Sequence, residues 1–373
     1  MLRLLVLVDH ARGITGPHRN VVGSLNALSK RDDVQLRLLC REIDEQEPYA
    51  QSNRIDIRLG YAPHDPKRVV GNIRRVLSAA RDRDVIYVPS GLKSLLYAQI
   101  ARPGKRLVVG PNVTPLPNWK QDSPTQIELK VLCDIWIEAS HARGNHVTRS
   151  TGAKIPVIHH AIDTNKWGPH RRNPGIWKKL NVPEARIRLL YVGHDKTALK
   201  GVGQVLDAYE LLQSSAIRMD LQLIMAGRLS QPTLDRTRGM TSVYPLGFLE
   251  ADVLPEVYAT SDISIVPSSW ENFPFTVLEA LASGIAIVAS RTGGIPEQIV
   301  DGESGRLVEI ADQHSIHLSD APQRLAAAII EIATDPELRA RLALGARERA
   351  LDQFSEPRLG QDLVELLTGK MSQ

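Results

Sequence analysis

One rhythm constrains this chain more than any other feature: short, nearly unbroken apolar runs, each separated from the next by a stretch of helical periodicity. RLLVLV (3–8), VQLRLLC (34–40), DVIYVP (84–89) and RLVVG (106–110) open the series, and DIWIEAS (134–140) and KIPVIHH (154–160) extend it. Runs apolar at consecutive positions need cover on both faces, as the strands of a parallel sheet have when helices flank it. A helix is expected over 17–29 and another from Lys93. The segment 66–82 places Val69, Val70, Ile73, Val76, Leu77 and Ala80 on one helical face.

After Asp163 the texture changes to TNKWGPHRRNPG, rich in Pro, Gly and charge, which reads as a linker. The rhythm then restarts with RLLYVGH (188–194), LQLIMAG (221–227), SVYPLG (242–247), DISIVPS (262–268), IAIVAS (285–290) and GRLVEI (305–310). A chain of 373 residues accommodates two domains. The expected fold class is therefore α/β, with two doubly wound, Rossmann-like parallel-sheet domains facing each other, 1–165 and 166–355. Long helices are expected over 321–333 and 336–353, and a short one after Ser355.

Apolar residues make up 43% and charged residues 24%, an ordinary globular balance. No apolar run approaches the ~18 residues of a membrane span. The opening MLRLLVLV reads as a buried strand rather than a signal peptide. Cys40 and Cys133 lack metal-binding or disulfide-framework spacing, which fits a reducing, cytoplasmic compartment. Residues 1–165 carry 24 Lys/Arg against 16 Asp/Glu, a balance of +8, while 166–373 carry 22 against 26, or −4. A basic first half either meets something anionic or is uneven solvated surface.

The chemistry concentrates in SSWENFPFTVLEALASGIAIVASRTGGIPEQIVDGESGRLV, from Ser268 to Val308. A strand ends in a loop, and a helix begins with Pro274 in its first turn and ends before Gly284. Its first-turn N–H groups, those of Phe275, Thr276 and Val277, with the positive end of the dipole, suit an anion at the carboxyl edge of the sheet. The dipole contributes only ~0.3–1 kcal/mol, so a diphosphate needs a cation as well. Lys200, in the loop TALKG one strand–helix unit earlier, is the candidate. Glu271 and Glu279 would lie ~12 Å apart along a continuous helix, more than a glycosidase carboxylate pair spans. One carboxylate for sugar hydroxyls and one for another hydroxyl pair fits better. On spacing alone, a surface glutamate plus a helix cap remains the simpler reading.

This stretch resembles the signature of family-4 retaining glycosyltransferases of the GT-B architecture: Glu, seven residues, Glu, then small-Gly, a strand and Gly-Gly-x-x-Glu. GITGP, VIHHAIDTNKW, YVGHDKTALKG, LQLIMAG and VYPLGFL resemble further family segments in the right order. The resemblance implies a nucleotide-diphosphate-sugar donor on the second domain, an acceptor (glycan, lipid-linked or small molecule) on the first, and no metal or other cofactor. Glu279 would bond the ribose. Glu271 with the backbone of Asn272, Phe273, Pro274, Phe275 and Thr276 would hold the sugar. Lys200, followed by Gly201, would neutralise the diphosphate, and Gly16 would admit close backbone approach. The backbone near Phe248 would meet the base. The last helix, 356–373, would return to the first domain. Two positions depart from the family. Gly193-His194 stands where Gly-Arg is usual, so His194, or Arg228 after Gly227, would supply the charge. Asn112 stands near where a histidine is usual, offering hydrogen bonds but no proton transfer. A sugar-nucleotide epimerase or hydrolase, or a non-catalytic nucleotide- or glycan-binding protein of the same fold, stays open beside the transferase.

Weaker signals read more plainly. Asp82-x-Asp84 precedes a strand and reads as turn acidity. His159-His160 lack accompanying metal ligands and suit a hinge. GITGP lacks the rest of a dinucleotide fingerprint. The helix 66–82 carries Lys67, Arg68, Arg74, Arg75 and Arg81 beside its apolar face. It suits either a crossover helix with a solvated basic side or peripheral contact with anionic membrane or a lipid phosphate. No nucleic-acid partner is expected.

Overall fold

A computed structural model describes residues 1–13, 16–112, 132–195, 198–215, 220–312 and 315–370. The chain divides into two compact units, Met1–Ala161 with Glu356–Gln373, and Ile162–Ser355.

The first unit is built on β1 (Leu2–Leu7), β3 (Val34–Leu39), β5 (Ile55–Arg58), β6 (Val85–Ser90), β7 (Arg106–Asn112) and β8 (Ile135–Trp136). These pair in the order β5-β3-β1-β6-β7-β8, every pair parallel. A small pair, β2 (His10–Ala11) and β4 (Glu42–Ile43), lies beside the sheet. Leu4, Leu5, Val6 and Leu7 are all buried, because helices cover both faces. Those helices are α1 (Gly16–Ser29), α2 (Val69–Ala80), α3 (Leu92–Ala101) and α4 (His141–Thr151).

Three expectations need correction here. The run 154–160 forms no strand: Val157 makes an isolated bridge to Glu138, and Pro156 removes a ladder donor. The run 134–140 is a strand only over Ile135–Trp136, because Ser140 already caps α4 by accepting from Arg143 N–H. The apolar face expected of 66–82 is also split. Asn72, Val76, Ala79 and Ala80 are buried, while Val69, Val70 and Leu77 remain 43%, 63% and 46% exposed. Among the described residues no helix is long and apolar enough to cross a membrane.

The second unit repeats the plan with β9 (Ile187–Val192), β10 (Leu221–Ala226), β11 (Val243–Gly247), β12 (Ile263–Val266), β13 (Ala286–Ser290) and β14 (Arg306–Val308). Their order is β11-β10-β9-β12-β13-β14, again parallel throughout. Its helices are α5 (Ile176–Lys179), α6 (Val202–Ser214), α7 (Gln231–Arg238), α8 (Val253–Thr260), α9 (Phe275–Ser283), α10 (Ile295–Gln298), α11 (Ala321–Thr334) and α12 (Pro336–Gln353). The segment that reads as a linker is packed against this unit. Trp167 is buried edge-on to Tyr258, ring centroids 5.5 Å apart. Arg347 donates to the carbonyls of Thr164, Trp167 and Ala282, so one half-buried guanidinium joins that strap to the end of α9.

The last helix, α13 (Glu356–Thr368), packs on α1 of the first unit. Lys30 Nζ and Asn26 Nδ2 reach the Glu356 carboxylate at 2.6 and 3.3 Å. Gly360 lies so close that a Cβ there would meet the Ala27 carbonyl oxygen at 3.0 Å. Leu359 and Leu363 are buried in the same core as Leu4 and Leu25. Leu363→Ala should therefore lower the unfolding free energy by about 2–5 kcal/mol. Leu351→Ala, on a 47% exposed side chain, should stay within about 0.5 kcal/mol. Urea midpoints of the two variants check this.

Candidate active site

In the second unit the chain starts at the middle of the sheet with β9, moves out through β10 and β11, and returns to the other side of β9 as β12. The carboxyl ends of β9 and β12 therefore flank a topological switch point, where open α/β sheets bind ligands. The loops there are brought unusually close. Gly193 N–H donates to Ala226 O at 2.9 Å, and Gly227 N–H to Gly247 O at 2.7 Å. Gly227 has φ +123°, and a Cβ on it would sit 1.8 Å from Gly193 O. Only glycine permits that approach.

Lys200 closes a short 3-10 turn, Ala198–Lys200, after β9. The next residue, Gly201, has φ +67°, and its Cβ would fall 2.0 Å from Pro267 O. Ser269 N–H also donates to Leu199 O at 2.8 Å. These contacts seat the lysine loop on the loop that follows β12. Lys200 Nζ meets Glu271 Oε1 at 2.5 Å, and Ser268 Oγ donates to the same carboxylate oxygen at 3.0 Å. The Glu271 side chain is 15% exposed and that of Lys200 41%.

The loop 268–274 is itself clamped. Ser290 Oγ donates to Ser268 O, Thr292 Oγ1 to Ser269 O at 2.8 Å, and Gln298 Nε2 to Pro274 O at 3.1 Å. The double glycine makes the tightest contact. Gly294 N–H donates to Glu271 O at 3.0 Å. Gly293 has φ +53°, and a Cβ there would be 1.8 Å from that same oxygen. Thus Glu271 and the glycine pair belong to one device: the turn at 293–294 fixes the backbone that carries the carboxylate. Beyond the loop, no side chain caps α9, whose N-cap is Pro274. The positive end of its dipole is thereby left for another anion. Asn272, Phe275 and Thr276 are half-buried, and Phe273 is buried against Phe354. Glu279, one turn along α9, is 1% exposed.

On the other side of β9, His194 Nδ1 accepts the Arg228 backbone N–H at 2.9 Å, a bond that a ring protonated at Nδ1 does not make. The Arg228 guanidinium lies over the Phe248 ring, 5.6 Å from its centroid. Phe248 is 66% exposed.

The second unit therefore gathers Gly193, His194, Lys200, Gly201, Gly227, Arg228, Phe248, Glu271 and the start of α9, with Glu279 beneath, along one edge of its sheet. Gly16 and Asn112 belong to the first unit, at the start of α1 and the end of β7. The side chain of Asn112 lies outside the described residues, as do Ile14 and Thr15 of the glycine loop and Lys196 and Thr197 before Lys200. Sequence reasoning missed Ser290, Thr292 and Gln298, whose hydrogen bonds hold the loop. Their signal was their place beside the glutamate and glycine motifs, but nothing in spacing says which carbonyl each one meets.

Residues 175–349 match the family model described as glycosyl transferases group 1. An alpha-maltose-1-phosphate synthase of Mycolicibacterium smegmatis is 27% identical over 226 residues, which cover 57% of this chain and 56% of that protein. A D-inositol 3-phosphate glycosyltransferase of Geodermatophilus obscurus is 32% identical over 224 residues, covering 57% and 46%. The chain thus spans about half the length of the curated relatives it matches. Among solved structures, Anabaena Alr3699/HepE in complex with UDP and glucose superposes with a TM-score of 0.74 at 19% identity, covering 99% of this chain and 100% of that one. WaaG, a glycosyltransferase of lipopolysaccharide biosynthesis, gives 0.67 at 14%, with the same coverage. Residues 175–349 are thus similar to the glycosyl transferases group 1 family, and the chain as a whole has the two-unit GT-B fold.

Proposed function

We infer that this protein is a retaining glycosyltransferase that moves a hexose from a nucleotide-diphosphate donor to an acceptor hydroxyl without a metal ion. The observation that carries the reading is the Lys200–Glu271 ion pair at the switch point, beside the uncapped start of α9. It holds a cation and a carboxylate where a diphosphate and a sugar would each need one. In this reading the donor diphosphate replaces Glu271 as the partner of Lys200, with the first-turn N–H groups of α9 adding their dipole. Glu271, released, accepts from sugar hydroxyls, together with backbone from Asn272 to Thr276. Glu279 accepts from the ribose hydroxyls, and Arg228 and Phe248 border the base. The acceptor belongs to the first unit, with Asn112, and Gly16 is a donor-side residue of that unit.

The chemistry balances without a protein nucleophile. The bond from the sugar's anomeric carbon to the phosphate oxygen breaks, and its electron pair leaves on the diphosphate. The acceptor oxygen bonds to the same face of that carbon and passes its proton to the departing phosphate. Lys200 and α9 stabilise the charge that builds on the leaving group. Because Anabaena HepE was solved with UDP and glucose, UDP is the first nucleotide to try.

A thermal-shift screen against UDP, GDP, ADP, CMP and dTDP tests the donor site. A nucleotide present at a hundred times its dissociation constant adds ~2.7 kcal/mol to the folded state. One base should raise Tm in the native chain and raise it by half or less in Lys200→Ala, about what a ~10–100-fold loss of affinity leaves. No shift with any nucleotide sinks the donor reading. A shift without acceptor-dependent turnover would instead make this a nucleotide-binding protein.

A further inference from the structure

Outside the donor site, the surface least explained by folding is the pair α2 and α3 of the first unit. Val69, Val70 and Leu77 on α2, and Leu92, Leu96 and Ile100 on α3, are all between 40% and 63% exposed. Scattered exposed aliphatics need no explanation, but these six lie on two helices packed against each other. On α3 they recur at every fourth residue and form one stripe. On α2, Val70 and Leu77 stand seven residues apart, within ~20° of each other around the helix. Between the helices runs an open groove of about 450 Å³, lined by Val69, Ile73, Leu96, Tyr97, Ile100 and Lys93 among others.

The charged side chains are ordered by the same geometry. Arg74 on α2 and Arg81 at its end stand seven residues apart and are exposed, so they form a basic row next to the aliphatic one, and the exposed Lys67 lies in the 3-10 turn Pro66–Arg68 that precedes α2. On α3, Lys93 is exposed beside Leu92. Among the described residues, no carboxylate lies within ion-pair distance of Lys67, Arg74, Arg81 or Lys93. By contrast, the neighbouring acids Asp82 and Asp84 are taken by Arg37 and Arg3 at 2.6 and 2.5 Å. The face therefore has three bands: a buried one that packs on the sheet, an aliphatic one, and a basic one with unsatisfied charge. A partner must be apolar beneath and anionic at its boundary.

We propose that the α2–α3 face docks on the surface of an anionic phospholipid bilayer. The aliphatic rows of both helices enter the acyl boundary, and Lys67, Arg74, Arg81 and Lys93 meet lipid phosphates, their flexible stems reaching past the apolar row. Charge complementarity selects this occupant: the cations flank the apolar rows and lack carboxylate partners. Each basic side chain near such a surface strengthens partition about fivefold at physiological salt. Docking needs no nucleotide sugar, so it stands or falls separately from the transferase reading.

The test is co-sedimentation of the full chain with vesicles of phosphatidylcholine alone and of phosphatidylcholine with phosphatidylglycerol. Binding is expected to the anionic vesicles and to weaken in 1 M salt, where screening is complete within ~3 Å. Arg74→Glu with Arg81→Glu should cut partition at least about 25-fold, two residues' worth of attraction. Arg74→Lys with Arg81→Lys should keep it. Arg238→Glu, an exposed charge on the other unit, should change nothing, which excludes a net-charge effect. Val70→Ser with Leu96→Ser should remove the part of the binding that survives high salt. Melting temperatures establish that each variant is folded. No preference for anionic vesicles, or full binding by the folded glutamate variant, overturns the proposal. Concentration-dependent dimerisation abolished by Val70→Ser with Leu96→Ser, without vesicle binding, would overturn it in favour of a second copy as the occupant.

Discussion

Glu271→Gln should leave a protein that still binds a nucleoside diphosphate but turns its donor over about 10²–10³-fold more slowly. That loss has the size seen when one polar contact to a transition state is removed. The structure separates the two effects because Glu271 is the partner of Lys200 at 2.5 Å. In the proposed reading, a bound diphosphate displaces the carboxylate from the ammonium. With the neutral amide, that competition disappears, so affinity for the sugarless nucleotide should hold or rise. Lys200→Ala should do the opposite on the binding axis. Removing a charged hydrogen-bond donor costs about 1.5–3 kcal/mol, or ~10–100-fold in affinity. Calorimetric titration of both variants, with steady-state rates, distinguishes the roles. A glutamine variant that loses nucleotide affinity yet keeps its turnover would put Glu271 on the phosphate and refute the division of labour.

Gly293→Ala should be among the most damaging single-methyl changes in the second unit. A Cβ there would stand 1.8 Å from Glu271 O, at φ +53°. An alanine in that region of backbone space costs ~1–2 kcal/mol before any clash. The overlap is with backbone, so the turn must lift away and break the Gly294 N–H bond to Glu271 O, adding ~1 kcal/mol. A total of about 2–3 kcal/mol should lower Tm by roughly 4–12 °C at the ~2–4 °C per kcal/mol of a domain this size. Turnover should fall as well, because the carboxylate moves with its backbone. Gly302→Ala is the control. It has φ +80° but meets only the far end of Arg306, at 3.8 Å. It should show the backbone strain alone and leave turnover unchanged. Equal Tm losses in the two variants would mean that the contact with Glu271 is not what makes Gly293 necessary.

The contrast between those glycines marks where sequence reading stops. Both sit in turns, and both were visible. That one of them touches the backbone of a residue twenty-two positions earlier follows from the fold. The pairing of Lys200 with Glu271 is of the same kind, since strand order brings the loops after β9 and β12 together. The helix 66–82 shows the limit from the other side. Periodicity correctly made it amphipathic. It assigned Val69, Val70 and Leu77 to the same face as Val76 and Ala80, whereas the sheet covers only part of that face. The segment after Asp163 misled for a related reason. Its Pro, Gly and charge look like a tether, and only the buried Trp167 and the reach of Arg347 from 180 residues away tie it down.

What the sequence determined by itself was the repeated α/β plan, the parallel sheets, and the helix start at Pro274 that lies beside the site. Those follow from local periodicity and from backbone limits at proline and glycine, which act over a few residues. What only the tertiary structure decided was which charges meet, which carbonyls the glycines must clear, and which apolar rows stay uncovered. Each depends on contacts between residues far apart in the chain, whose distance is set by the order and register of the strands.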